Sequence, residues 1–338
     1  MVITRTPLRI SFFGGGTDYP VWADSHGGAV ITTAVDLSVY ITARWANPRF
    51  YPYRSRVVYR KIEEVTNNGD IEHRAVRAAL ALLGIERGVE IHYDGDVPGG
   101  TGLGSSSAFL VGLLLALQTL LGRGHGAGPE TSAKIVEHLE HEVLGETVGL
   151  QDPVAVALGG FRYTEFHRAS ATGRRFTSHL LRDEEALAVR PYLLLCYVGG
   201  DRVSSEVAHG QVLAMREGKS DTALADLGNL TRRALGHLHE GNVAEWGPLL
   251  GEAWRIKKSL GPGVSTPEVD LLYDVAIGAG ATGGKLLGAG GGGFLLLFAA
   301  PWRHAAVANA VGVERVVPFR FSQAGSHLVL DSEGPAYE

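Results

Sequence analysis

The chain has 338 residues, 45% of them hydrophobic and 20% charged, which is the balance of a soluble globular protein with length for roughly two domains. A net charge of −5 without a basic tract argues against a nucleic-acid partner, and the longest apolar run is too short to cross a membrane. Arg5 and Arg9 interrupt the first apolar stretch, so no signal peptide is expected; Cys196 stands alone within an apolar run and reads as core, and the expected location is cytoplasmic.

Taken in order, residues 3–13 alternate and then run apolar, as a strand does, and end in Gly14-Gly15-Gly16-Thr17-Asp18-Tyr19-Pro20. Three glycines and a polar pair describe a loop wrapped closely on something small. Asp18 has two roles open to it: accepting hydrogen bonds from sugar hydroxyls, or serving as a helix cap or turn residue. Arg9, inside the strand pattern, lies on a solvent face or is paired. Val30–Val35 and Val39–Ala43 read as successive strands, and the basic, tyrosine-bearing residues 47–60 as an exposed strand pair or a substrate lip. An amphipathic helix is expected over 72–83, and a half-buried strand through Val89, Ile91 and Tyr93.

That strand leads into VPGGTGLGSSSAFLVGLLLALQTLL, residues 97–121. Glycines let a backbone approach a ligand, serines start a helix, and the amides and dipole of a helix start attract anions. The segment reads as a phosphate cradle sealed into the core by its own apolar helix, or as a glycine-rich turn with no ligand. It is not a Walker A loop, because Ser105 stands where the lysine belongs. It is not a dinucleotide fingerprint or a protein-kinase loop either: counted from Gly102, the last glycine position is Ser107.

Over 130–144 a helical period of about 100° per residue gathers Ile135, Val136, Leu139, Val143 and Leu144 on one arc, and Glu140 falls inside it. A carboxylate on a buried face requires a partner, either an arginine or a bound cation. In GLQDPVAVALGGF, Asp152 precedes Pro153, the pattern of a helix N-cap, a role compatible with catalysis. Hairpin strands are expected over 160–185, then a polar break at 183–187 that divides an N-terminal domain, 1–187, from a C-terminal domain, 188–338.

A buried strand over 191–198 opens the second domain and turns at Gly199-Gly200-Asp201-Arg202, where Arg202 either meets a substrate phosphate or makes a surface ion pair. Helices are expected over 203–217, 221–240 and 242–259, and another from a Ser265/Glu268 capping box. The sequence GAGATGGKLLGAGGGGFLLLF then brings a third glycine cluster before a buried strand. Four successive glycines, Gly290 to Gly293, point to a backbone pressed on a ligand or on the loop of the first domain.

Together RTPLRISFFGGGTDYP, GLGSSSAF, GLQDPVAVALGGF and the stretch from AWRIKKSL to KLLGAGGGG resemble the GHMP kinase superfamily, and within it the heptose-phosphate kinase branch, nearly end to end. The resemblance implies an α+β fold of two domains, the first ribosomal-protein-S5-like and the second ferredoxin-like. It implies ATP under Gly99, Gly100, Gly102, Leu103, Gly104, Ser105, Ser106 and Ser107. Asp152 matches the catalytic base and Arg9 the basic residue beside it; Ser106 and Glu140 match magnesium ligands. Gly15, Gly16, Thr17 and Asp18 match the sugar site, with Arg202 and Gly290, Gly291 and Gly292 also assigned to substrate. The implied reaction is ATP- and Mg²⁺-dependent phosphorylation of the anomeric hydroxyl of a heptose 7-phosphate, with no nucleic acid, no membrane and an open choice of monomer or homodimer. Pro153-Val154 and Asp201-Arg202 depart from the branch's usual residues. Rival readings are a kinase for fucose, a uronic acid or galactose, and a non-catalytic sensor of ATP and sugar.

Overall fold

The computed structural model describes residues 1–123, 128–171, 173–199 and 204–332. Arg202 therefore lies outside the described residues. The chain is α+β, and among the described residues its strands form two sheets.

The larger sheet holds β1 (Val2–Phe13), β2 (Gly28–Trp45), β3 (Ser55–Val58), β4 (Ile62–Val65), β5 (Val89–Gly95), β6 (Phe161–Phe166), β7 (Phe176–Leu180) and β11 (His327–Asp331). Its main order is β11-β1-β2-β5-β3-β4, with β6 pairing β2 and β7. The sequence predicts two strands over 30–43, yet β2 runs unbroken. The expected break is a bulge: the register against β1 shifts where Pro7 faces Ser38 and Leu8 faces Val35. Asp36 and Ser38 still find partners there, in the Arg320 carbonyl and the Asp96 carboxylate.

Behind this sheet lies α3 (Ser105–Leu120), buried on every side from Ser107 to Thr119 and packed on β1 and β2. The first sheet also takes the last strand, since β11 pairs with β1. The smaller sheet, β8 (Leu193–Gly199), β10 (Gly293–Ala299) and β9 (Ala281–Leu286), is antiparallel throughout. Cys196 lies buried in β8.

Two further expectations change. Residues 183–187 are not a polar break but the start of α6 (Asp183–Val189). Glu185 caps the Arg182 N–H at 2.8 Å, while Ala186 and Val189 turn inward. The helix α10 (Pro267–Gly278) is capped by Thr266, whose hydroxyl accepts from Val269 N–H; Ser265 instead donates to Asp270.

The two halves meet at an aromatic joint. Trp246, at the start of α9 (Trp246–Lys258), stands 5.4 Å from Phe12 and 5.1 Å from Phe13 by ring centroids, and its indole N–H donates to Ala234 O at 2.9 Å. Truncation of such a buried indole costs about 3–5 kcal/mol. The joint fixes the end of β1, and with it the Gly14–Tyr19 loop, against the second half.

Candidate active site

A cleft of about 780 Å³ opens where the ends of β1, α3, α5 (Gln151–Leu158) and α9 converge. Arg9 reaches it from β1. Its Nε and Nη2 each donate to a different oxygen of Asp152 at 2.7 Å, and its Nη1 donates to Gly102 O at 2.5 Å. The Arg9 amide also donates to Leu103 O. One arginine thus ties the catalytic candidate to the glycine loop, and its burial at 4% exposure is balanced by a bidentate carboxylate. Asp152 remains 18% exposed, on the cleft side.

Asp152 is not a helix cap. The N-cap of α5 is Leu150, and Asp152 sits at the second helical position, its carboxylate engaged by Arg9. The cap comes from elsewhere in the chain. Asp18 accepts from Gln151 N–H at 3.2 Å through its carboxylate and from Leu150 N–H at 2.9 Å through its carbonyl. Its other carboxylate oxygen takes Gly16 N–H at 2.9 Å. Nor does Asp18 cap the helix that follows it, for the N-cap of α1 (Pro20–His26) is Tyr19. Burial first, and the neighbouring Asp152 second, push the Asp18 carboxyl above its usual range. Gly15, Gly16 and Asp18 line the cleft, whereas the Thr17 hydroxyl is buried on Gly14 O.

The glycine loop ends at Gly104, which caps α3 in the left-handed region at φ 77°. A Cβ there would stand 3.1 Å from Arg9 Cγ, so both the backbone and the arginine require glycine. The first bond of the helix runs from Ala108 N–H to Gly104 O, which leaves the amides of Ser105 to Ser107 without intrahelical partners. Gly100, Gly102, Gly104, Ser105 and Ser106 line the cleft. Gly100 N–H donates to the Ser105 hydroxyl at 3.3 Å.

Glu140 is fully buried, and the helix expected around it is not uniform. After α4 (Pro129–His138) the chain makes a π turn over Leu139–Val143 that carries the carboxylate inward. Its Oε1 accepts from the Ser107 hydroxyl at 2.6 Å, and its Oε2 is buried with no partner. The partner is thus a serine, not the arginine that burial alone calls for. Burial is the main cause that pushes Glu140 up to about 8, with Asp152, Glu146 and Glu137 adding repulsion and Ser107 opposing it. Ser106 lines the cleft beside Glu146, whose carboxyl is raised chiefly by burial, with Arg74 and Ser106 opposing.

Of the third glycine cluster, Gly288 and Ala289 form cleft wall. Gly288 packs on Gly102, and a Cβ built on Gly102 would fall 2.6 Å from Leu287 O. Gly291 N–H bonds Val264 O at 3.2 Å, and Gly290 packs on Val264. The cluster is thus pressed on the loop of the first domain, one of the two readings of its sequence.

Several cleft residues escape sequence reasoning: Arg74, Glu146, Gln151, Lys257 and Lys285. The two lysines carried a signal, since each sits in an otherwise buried pattern. The basic segment around 47–54 lines a separate cleft with Tyr51 and Tyr53, away from Asp152.

Comparisons with known proteins agree on one family. Residues 72–160 match the family model described as GHMP kinases N terminal domain, and residues 234–312 match that described as GHMP kinases C terminal. The chain is 28% identical to D-glycero-alpha-D-manno-heptose 7-phosphate kinase of Campylobacter jejuni over 95% of this chain and 97% of that protein. It is 30% identical to a mevalonate kinase of Pyrococcus horikoshii over 97% of each. The fold is similar to that of a D-glycero-D-manno-heptose 1-phosphate kinase from Bacteroides thetaiotaomicron, with TM-score 0.78 and 23% identity over 98% of this chain and 100% of that one. Among the described residues no helix is long and apolar enough to cross a membrane.

Proposed function

This chain belongs to the GHMP kinases, and on that premise we propose that it is an ATP-dependent sugar kinase acting on the anomeric hydroxyl of D-glycero-D-manno-heptose 7-phosphate. The observation that carries the reading is the Arg9 fork, which holds a cleft-facing carboxylate and the phosphate-type loop in one rigid unit.

Phosphoryl transfer passes through a loose transition state, so catalysis is mostly positioning and charge stabilisation. The free amides of Ser105 to Ser107 and the α3 dipole receive the ATP phosphates in place of a P-loop lysine. Asp152 accepts the proton of the sugar hydroxyl. Each of its oxygens keeps a second lone pair beyond the bond to Arg9, and an anomeric hydroxyl is more acidic than other sugar hydroxyls. Arg9 keeps Asp152 oriented and adds positive charge beside the transferring group. Gly15, Gly16 and Asp18 form the wall offered to the sugar.

Mg²⁺ belongs to the same proposal, and the residues fit it. Among the described residues no group of three or more His, Cys, Asp or Glu converges as a metal cage. Magnesium needs no such cage, since it takes one or two carboxylates plus phosphate oxygens and water. The orphaned Oε2 of Glu140 is a buried carboxylate oxygen that lacks what a cation supplies. Glu140 would hold the ion, with Ser106 or Ser107 as the adjoining hydroxyl. When bound, Mg²⁺ neutralises charge on the phosphate oxygens.

The test is ADP production from Mg·ATP against free and phosphorylated hexoses and heptoses, with mevalonate included. The reading expects turnover with heptose 7-phosphate above all others. Preference for mevalonate or for an unphosphorylated hexose would overturn the acceptor assignment.

A further inference from the structure

Two buried lysines face the cleft with no role in the chemistry above. Lys257, at the end of α9, is 7% exposed, and Lys285, in β9, is 5% exposed. Neither is ion-paired among the described residues. Lys285 donates to Phe12 O at 3.0 Å, and Lys257 donates to Leu286 O at 3.0 Å and to Gly288 O. An ammonium has three N–H donors, so two on Lys285 and one on Lys257 remain without a described protein acceptor.

Lys257 also lies over the Trp254 ring, 5.9 Å from its centroid, but buried cations served by carbonyl dipoles and one ring face remain costly unless something anionic completes them. The surroundings do not complete them. From β1 comes Arg9, a third cation, committed to Asp152. From the loop after β1 comes Asp18, already accepting two amides. From α9 and β9 the two lysines face each other's charge. Burial foremost, then Arg9, drives Lys285 down to about 7, with Asp18 opposing; burial, then Lys285 and Arg9, lowers Lys257 as well. Position also speaks for an anion: the Gly288 that holds Lys257 packs on Gly102, the residue whose carbonyl holds Arg9.

We propose that Lys257 and Lys285 touch the substrate and together hold a phosphate dianion in the cleft, supplying the cationic charge that the glycine loop lacks. The inference rests on the kinase reading above. Its ligand chemistry is a phosphate monoester or phosphoanhydride end, borne by the nucleotide or by the acceptor.

The test uses the full chain and the variants Lys257→Met, Lys285→Met and Lys285→Arg. Methionine matches the stem without burying a charge, so thermal stability should hold or rise. Calorimetry with ATP and with inorganic phosphate, at about pH 8 in buffers of different ionisation enthalpy, should show proton uptake by the wild type, because an anion restores the Lys285 proton. Each methionine variant should bind about tenfold or more weakly, Lys285→Met should lose the proton uptake, and Lys285→Arg should recover part of the affinity. Steady-state kinetics with heptose and heptose 7-phosphate then identify the carrier. A penalty with both acceptors assigns the dianion to ATP; a penalty confined to heptose 7-phosphate assigns it to the sugar. Wild-type binding and kinetics in both methionine variants would overturn the proposal, as would a loss of melting temperature with anion affinity intact. If the wild type turns over no acceptor in the panel, the kinase reading fails, while the binding arm still decides the lysines.

Discussion

Arg9 and Asp152, far apart in sequence, meet through two hydrogen bonds of 2.7 Å, and the same guanidinium holds the Gly102 carbonyl. Arg9 thereby sets the distance between the candidate base and the candidate phosphate loop. Asp152→Asn keeps the shape and removes the proton acceptor. Turnover should fall about 10²–10⁴-fold, the range for loss of a general base, while nucleotide affinity survives. Rates of ADP release and nucleotide titration check it; near-normal turnover removes Asp152 from that role.

Asp18 supports Asp152 indirectly, by capping α5 across the loop. Asp18→Ala orphans the buried amides of Gly16 and Gln151, each costing about 1–3 kcal/mol. The expected result is a lower melting temperature together with a lower kcat, because the helix that presents Asp152 loses its anchor. A change in sugar KM alone, at unchanged stability, would reduce Asp18 to a substrate contact. Asp18→Asn, which keeps one acceptor, should lie between the two.

Gly102 stands at the seam of the two halves. At φ 83° and with a new Cβ 2.6 Å from Leu287 O, Gly102→Ala is strained in its backbone and collides with a carbonyl. The loop must shift from Gly288 and draw its carbonyl from Arg9. ATP affinity should fall with turnover, by an order of magnitude or more, whereas Gly84→Ala, at φ 66° with open space around it, should affect folding slightly and nucleotide binding not at all. Parallel calorimetric titrations of the two variants decide the point.

Much of this arrangement was legible in the chain. The apolar run after the serines can only be a buried helix, and the periodicity around Glu140 places a carboxylate on a face where solvent cannot reach it. What was hidden is long-range. Asp18 and Asp152 each look like local caps, and neither is: Asp18 caps the helix of Asp152, and Asp152 binds Arg9, pairings that sequence spacing cannot announce. The resemblance assigns Ser106 with Glu140, whereas it is the Ser107 hydroxyl that bonds this carboxylate where the π turn carries it inward, a matter of packing rather than pattern. Lys257 and Lys285 do stand in apolar patterns, but a lysine there ordinarily reaches for solvent, and only the fold shows them buried, Lys285 on the Phe12 carbonyl and Lys257 on the Leu286 carbonyl.

Glu140 offers a prediction that needs no substrate. Its carboxyl is raised to about 8 in the folded chain, whereas an unfolded glutamate titrates near 4.5. The sign follows from linkage: a group whose folded pKa is raised favours folding at low pH, and that contribution is lost as pH rises from the unfolded value through the folded one. The ligand-free protein should therefore weaken between about pH 5 and pH 8 through this group and level off above. Glu140→Gln should abolish that slope and melt higher than the wild type at about pH 8, provided the amide keeps the Ser107 hydrogen bond. Mg·ADP should reverse the ranking. A bound cation favours the ionised carboxylate, so the wild type should gain melting temperature from added Mg²⁺ and the variant much less. Thermal denaturation across pH, with and without Mg·ADP, provides the measurement; a wild type and a variant that respond equally to Mg²⁺ would remove Glu140 from the metal site and leave it a buried partner of Ser107.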